Sequence, residues 1–597
     1  MYKRIENILI LILLLAVNFI AHSMQFQNMG LYEDDYEFLA KAVNWDQVAY
    51  SEYLSDTWLK IWPQGRPLGF SIPQTIAYIF KGDNTLSALY LFGALILTIN
   101  AFLCFTIFKA FLKDFKAALF GAILFSLFPA DTTKPYLLHI FHIQTSLMFC
   151  LVALYIYIKH QKFRFISYFL GICCLITYET PFSLFLLFPL FSVESKGKKL
   201  WIKHCLIIAT SLALIVLIRI LMGDDRVTLL GHWSTIIAQI MASMVFGPVV
   251  SMGLFLYAPA RTVLHMNNEL WIVMLTIFPV VLGLLIWVIY QYPDKIVKAD
   301  SNKVREFTLL AVTIRIQDWT WQWMKMTLFA VLWLMTAYIL SFSHYPPVVR
   351  YGRGTSVHIS ATIPASLLCV LLLWGIWRML AHKKLFRNIS LVLLAGYISV
   401  VIGNRYSIQQ DFVKSWNFQK QYWNDVIELI PDVDDGTIVF VVNHHLPEEH
   451  YILSNTWTDF IILGELIDFP ENWSREPIVI STDGNWEKNM QLVEGKTIYR
   501  GNRSRDPLLF TIDGRKEKNL QLPAGTIIYP WSLYWIFEID SSNVILLTDD
   551  INGNLIRVND IEINTLSGIS FATWKGKMSE RLIDQYPTTR LFEIMNN

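Results

Sequence analysis

Three consecutive carboxylates, Glu33, Asp34 and Asp35, follow the first apolar run, within the stretch "GLYEDDYEFLAKAVN". One acid suffices to cap a helix N-terminus, where a carboxylate contributes roughly 0.3–1 kcal/mol. Three adjacent acids exceed that need. Further ionisable groups stand at the ends of other apolar runs. Asp131 lies in "LFPADTTKPYLLHIFH", followed by His139 and His142, Glu179 lies in "ITYETPF", and Arg66 closes the turn "WPQGRPLGF". A charge costs about 2.5–3.5 kcal/mol at mid-membrane and less at the interface, so each of these positions invites a function besides capping or loop solvation. The opposite sign gathers in "SHYPPVVRYGRGTSVH", with His344, Tyr345, Arg350, Tyr351, Arg353 and His358. Arginine forks match phosphate oxygens in pairs, and Gly352 and Gly354 permit close backbone approach. Pairing with a lipid headgroup, Asp224 or Asp225 is the alternative use of these arginines.

The elements that position these residues are apolar. Of 597 residues, 54% are hydrophobic and 16% charged, the composition of a polytopic membrane protein. The net charge of +1 supplies no field for nucleic acid. Runs long enough to span, about 17–25 residues, or nearly so, fall near 7–23, 85–108, 115–130, 137–158, 163–178, 181–193, 203–222, 236–258, 269–290, 326–343, 357–377 and 388–404. The expectation is about 11–13 transmembrane helices within residues 1–410, with 24–84 as a long first outer loop. Tyr36, Phe38, Trp45, Tyr50, Tyr53, Trp58 and Trp62 in that loop suit amphipathic helices lying on the membrane surface. All six cysteines sit in apolar segments without paired spacing, which indicates neither a metal site nor a disulfide framework.

From residue 411 the chain turns polar, and "GTIVFVVN" and "NVILLTDD" read as strands of a β-rich soluble domain spanning 411–597. Within it "DGNWEKNMQLVEGKTIY" (483–499) repeats as "DGRKEKNLQLPAGTIIY" (513–529), two hairpin-like copies. Asp434/Asp435 and Asp549/Asp550, beside Gly436 and Gly553, read as turn residues.

Orientation follows the basic loops. Lys3 and Arg4 place the N-terminus in the cytoplasm, and Lys109, Lys113 and Lys116, then Lys159, Lys162 and Arg164, then Lys196, Lys198, Lys199 and Lys203 mark cytoplasmic turns. "PADTTKP" and "TYETP" are nearly devoid of positive charge and fall outside. Keeping Lys295, Lys298, Lys303 and Arg305 inside requires residues 223–268 to be an outer excursion with a re-entrant or interfacial segment. About eleven spans then put the C-terminal domain outside. Ala21 and Ser23 also offer a weak signal-peptide cleavage pattern, whose use would leave the remaining topology unchanged.

This arrangement resembles the GT-C superfamily of integral-membrane glycosyltransferases that use polyprenyl-phosphate sugars, such as the protein O-mannosyltransferases and lipid A aminoarabinose transferases. The resemblance rests on the acid pair after the first span, on "LFPADTT" with its histidines, on "TYETP" and on "RYGRGTSVHISATIPASLL". It implies Asp34, with Asp35, as the catalytic acids. Glu33, Arg66, Asp131, His142 and Glu179 would position the acceptor, and Arg350, Tyr351, Arg353 and His358 would hold the lipid phosphate. The implied donor is a polyprenyl-phosphate sugar drawn from the bilayer, the implied acceptor a glycan, lipid or protein, and the implied reaction an inverting transfer on the outer face. A divalent metal is chemically compatible with these acids and imidazoles, but no spacing specifies one. The sequence departs from the family in reading Glu-Asp-Asp where Asp-Glu is usual and in carrying Asp131. Rival functions are a lipid-linked saccharide transporter or flippase, a polysaccharide polymerase, or a non-catalytic assembly protein of the cell envelope.

Overall fold

The computed structural model describes residues 2–82, 84–191, 198–222, 233–291, 304–309, 312–341, 352–380, 384–442, 459–482, 490–493, 496–500, 536–539, 543–550, 554–558, 562–564, 570–572 and 581–596. Helices dominate, and the chain divides into two compact units. The first comprises Met1–Phe26, Ser55–Ile72 and Leu89–Gln410, the second Gln27–Leu54, Pro73–Ala88 and Asp411–Asn597.

Among the described residues seven helices are long and apolar enough to cross a bilayer: Ile5–Asn28, Thr85–Leu112, Leu137–Lys159, Lys198–Leu221, Ile237–Leu264, Asn268–Gln291 and part of Lys384–Leu429. Shorter apolar helices run over Phe115–Ser126, Thr180–Phe191 and Thr362–Trp377. The chain is an integral membrane protein. Phe115–Ser126 forms a central post of the first unit because Ala117, Ala118, Gly121 and Ala122 let neighbours approach closely, the small-residue packing expected inside membranes. A methyl at Gly121 would lie 2.5 Å from the Phe108 ring. Asp114 caps the helix by accepting from the Ala117 amide at 3.1 Å.

One expectation is corrected here. Of the two readings of this segment, re-entrant or interfacial, the re-entrant one does not hold: Trp233–Leu264 is a continuous helix, despite Pro248 and Pro259. Apolar surroundings tolerate proline when neighbouring elements support the helix. Gly247 packs against the Tyr338 ring, where a methyl would come within 2.5 Å, and the Phe255 carbonyl accepts from the Tyr397 hydroxyl at 2.9 Å.

The second unit joins the long first loop to the C-terminal region. Its sheet runs in the order Ile478–Thr482, Ile438–Val442, Val544–Asp549, Leu555–Val558, with the first three strands parallel and the last antiparallel. "GTIVFVVN" and "NVILLTDD" thus form adjacent strands, and residues 438–442 are buried throughout, as a central parallel strand requires. Asp459–Leu466 packs on the edge strand Ile478–Thr482 of this sheet. Asp434 and Asp435 lie at a turn, as read, whereas Asp549 ends the strand Val544–Asp549, opposite Leu555, and Gly553 lies outside the described residues. The Asp435 carboxylate accepts from the Ser474 amide and hydroxyl and the Arg475 amide, beside Gly436 at φ 72°. Of the repeat, Met490–Val493 and Lys496–Arg500 pair as an antiparallel hairpin. The whole second copy, 513–529, lies outside the described residues.

The first loop also differs from a purely surface-lying arrangement. Tyr32 and Tyr36 are fully buried. The Tyr32 ring meets Phe412 edge-on at 4.7 Å and its hydroxyl donates to the Phe412 carbonyl at 2.8 Å. Gly30 leaves room for the Trp416 ring, which a methyl would enter. These tyrosines are core residues because the C-terminal region covers them. Val48 and Leu59 remain exposed, as an interfacial segment would leave them.

Candidate functional site

In the first unit the fold gathers three positions that the sequence scatters. Arg66 forms a two-pronged pair with Glu179, Nε to Oε2 at 2.7 Å and Nη2 to Oε1 at 2.6 Å. Its guanidinium stacks 4.4 Å over the Tyr178 ring, a cation–π contact that fixes its plane. Tyr178 in turn meets His142 edge-on at 5.4 Å, and Phe70 meets the same imidazole at 5.4 Å. The turn presenting Arg66 has left-handed backbone at Trp62 (φ 43°), Gln64 (φ 52°) and Gly65 (φ 67°). Such conformations persist only where the surroundings enforce them. Gly65 packs directly against Arg219, whose Nη2 lies 3.6 Å from the second Glu179 oxygen. Gly69 is equally confined, since a methyl there would lie 2.2 Å from the Thr177 carbonyl oxygen and 2.6 Å from His142 Nε2.

The electrostatics assign Glu179 a role. Burial alone would raise its carboxyl, but the charge and hydrogen bonds of Arg66, joined by the Arg219 charge, hold it well below the ordinary carboxylate range. An acid so stabilised as an anion is a poor proton acceptor at neutral pH. Glu179 therefore orients two arginines. Arg353 is near enough for its charge to act on His142, as do those of Arg66 and Glu179. Two guanidinium groups thus meet one carboxylate, and a third acts on the imidazole beside it.

A second cluster supports the loop of Asp131. This residue is fully buried, and its carboxylate accepts from the Thr133 amide (3.0 Å) and hydroxyl (2.6 Å) and from Gln144 Nε2 (3.3 Å). The loop also clasps the arginine segment. Thr132 Oγ1 accepts from the Gly352 amide at 3.1 Å and lies 2.9 Å from Thr355 Oγ1. Gly352, at φ 114°, supplies a backbone conformation that side chains disfavour. Lys134, from the same loop, is buried and donates to the Ser126 carbonyl at 2.7 Å, with His22 Nε2 at 3.5 Å. Burial, reinforced by the Arg405 charge and opposed by Asp131, brings its ammonium down to about 7.

The other predicted residues divide by location. His358 is fully enclosed and bonded through Nδ1 to the Tyr338 hydroxyl at 2.7 Å, a packing position. Arg350 and Tyr351 lie outside the described residues. Glu33, Asp34 and Asp35 belong to the second unit. There Glu33 takes a left-handed conformation (φ 47°), while Asp34 and Asp35 are buried. The Asp35 carboxylate accepts from the Tyr32 amide at 3.2 Å, and the Asp35 amide donates back to the Tyr32 carbonyl at 3.0 Å, closing the turn. Among the described residues no three His, Cys, Asp or Glu side chains are grouped to hold a metal. Two cations escaped the sequence reading. Arg219 is a lone charge near the end of an apolar run, itself a usable signal, and Lys134 stood in a loop read as nearly free of positive charge.

The class of protein to which these features lead is a helical polytopic membrane protein with a basic, partly buried polar cluster. No family model and no curated protein matches the chain. Solved structures do. The Archaeoglobus fulgidus oligosaccharyltransferase, crystallised with a tethered acceptor peptide, is similar at 11% identity and a TM-score of 0.37, over 74% of this chain and 62% of its own. This chain therefore spans less than two thirds of that enzyme. ArnT from Cupriavidus metallidurans, bound to undecaprenyl phosphate, is similar at 12% identity and a TM-score of 0.33, over 89% of this chain and 97% of its own.

Proposed function

We propose that the protein is a membrane glycosyltransferase that moves a sugar from a polyprenyl-phosphate donor to an acceptor hydroxyl on the outer face of the membrane. The observation that carries this reading is the arginine pair of the first unit, in which Arg66 and Arg219 both meet the carboxylate of Glu179, with Arg353 near enough to act on the adjacent His142. Fixed cations in a poorly hydrated setting suit a departing phosphate, and their orientation before reaction makes them effective.

In the proposed reaction the acceptor oxygen bonds to the anomeric carbon as the bond from that carbon to the phosphate oxygen breaks. The acceptor proton passes to a carboxylate and the negative charge leaves on the polyprenyl phosphate. A single displacement inverts the anomeric centre. Asp34 is assigned as the base from its place in the acid pair that follows the first apolar run. Packing of the first loop with the C-terminal region in one unit supports placing both on the same side of the bilayer. With Lys3 and Arg4 in the cytoplasm, that side is extracytoplasmic.

The test is transfer by the purified protein from a panel of radiolabelled polyprenyl-phosphate sugars to endogenous envelope extract. One donor should be consumed with release of polyprenyl phosphate, and Arg353→Gln should raise its KM. Absence of turnover with every donor, or a KM unchanged in Arg353→Gln, contradicts the proposal.

A further inference from the structure

The second unit contains a cleft of about 560 Å³ that the proposed transfer chemistry does not use. Four chain segments build it. The end of Lys41–Asn44 contributes Asn44 and the following Trp45, and Lys81 follows Pro67–Ile79. Asp468 comes from the residues after Asp459–Leu466, and Thr588, Thr589 and Arg590 from the start of the terminal helix Arg590–Asn596. The volume falls in the range of small-ligand sites, roughly 300–1,000 Å³.

The lining is held rigidly. Trp45 packs on Tyr53 with ring centres 4.6 Å apart, and its carbonyl accepts from Lys81 Nζ at 2.6 Å. Lys81 also lies 4.3 Å from the centre of the Tyr78 ring, which stacks on Tyr50 at 4.2 Å. Asn44 Nδ2 donates to the Glu465 carboxylate at 3.2 Å, and the Thr589 hydroxyl donates to the Glu465 carbonyl. Arg590 pairs with Glu593 at 2.9 Å.

The chemistry selects an occupant. A phosphate or other compact anion would meet the Asp468 carboxylate, and Glu593 already offsets Arg590, so the cleft offers no net positive field. An apolar ligand would strip water from several polar side chains and return no hydrogen bonds. A polyhydroxylated ligand satisfies both conditions. Its hydroxyls find donors in Lys81 and Arg590, an acceptor in Asp468, and groups of both kinds in Asn44 and the threonines. Its C–H face finds the Trp45 ring, an aromatic body with an apolar surface.

We infer that this cleft is a binding subsite for an uncharged oligosaccharide. The inference does not depend on the transferase reading, because binding requires neither donor nor turnover. The experiment is saturation-transfer difference NMR on the full-length protein in detergent. The probes are cellotetraose, an α-1,6-linked mannotetraose, a tetragalacturonate and inorganic phosphate. At least one neutral tetrasaccharide should bind, and Trp45→Ala should weaken it about tenfold while Trp45→Phe largely preserves it. Thr588→Val, a near-isosteric change outside the aromatic stack, should weaken it severalfold with unaltered thermal unfolding. Binding of phosphate or tetragalacturonate alone, binding of no saccharide, or neutral-saccharide affinity unchanged in both Trp45→Ala and Thr588→Val overturns the inference.

Discussion

Replacing Arg66 by methionine leaves Glu179 in place without its main partner. The pair has two charge-assisted bonds at 2.7 and 2.6 Å, with side chains 11% and 22% exposed. Breaking such a buried pair from one side costs about 3–5 kcal/mol, since a charge remains without compensation. Arg219, 3.6 Å from Glu179, stays and brings the expected loss to about 3 kcal/mol. The pH dependence has a definite sign. In the wild type the Glu179 carboxyl is depressed, so its contribution is complete above the unfolded value near about 4.3 and is lost as pH falls through its folded value. In Arg66→Met burial prevails and the carboxyl rises, so the difference from wild type is largest near neutrality and shrinks in acid. Thermal unfolding in detergent at several pH values measures this, with Arg66→Met/Glu179→Leu as the companion variant. The double variant should regain at least half of the lost stability, a coupling of about 0.5–3 kcal/mol. Additive effects of the two single changes, or an Arg66→Met curve that overlays wild type at neutral pH, would refute the reasoning.

Other expectations concern the same structural arguments. Lys134, brought down to about 7 in the folded protein, binds fewer protons there than in the unfolded chain between that value and its ordinary one. Stability should therefore rise from pH 7 toward pH 10 by up to about 1.4 kcal/mol per unit, a slope that Lys134→Met abolishes in denaturation profiles. Gly69→Ala drives a methyl to within 2.2 Å of the Thr177 carbonyl and should lower the unfolding temperature measurably. Gly253→Ala, with nothing within 4 Å, should be neutral or stabilising by up to about 1 kcal/mol in the same measurement. Asp35→Asn should loosen the turn closed by Tyr32, costing about 1 kcal/mol in the same unfolding experiment.

What the sequence revealed and what it hid follow from the range of the interactions. "GTIVFVVN" is legible as a strand because it is a short apolar run, whereas its parallel pairing with residues 478–482 and 544–548 joins distant segments and has no local signature. Pro67–Ile79 is helical although "WPQGRPLGF" read as a turn, since Pro67 suits the first helical position, and the helix continues through Pro73. Trp233–Leu264 was obscured by balancing loop charges across the membrane, a rule blind to the tertiary support of its prolines. In the candidate site Arg66, His142 and Glu179 were each visible as charges or imidazoles at the ends of apolar runs. Their union across 113 residues, in the case of Arg66 and Glu179, was not. Tyr36 looks like an interfacial aromatic until the C-terminal region that buries it is known.

The proposed proton transfer to Asp34 is read out by the initial rate of sugar transfer from a polyprenyl-phosphate donor. Asp34→Asn should reduce that rate by about 10²–10⁴-fold with donor KM and unfolding temperature unchanged. A rate in Asp34→Asn within twofold of wild type would contradict the claim.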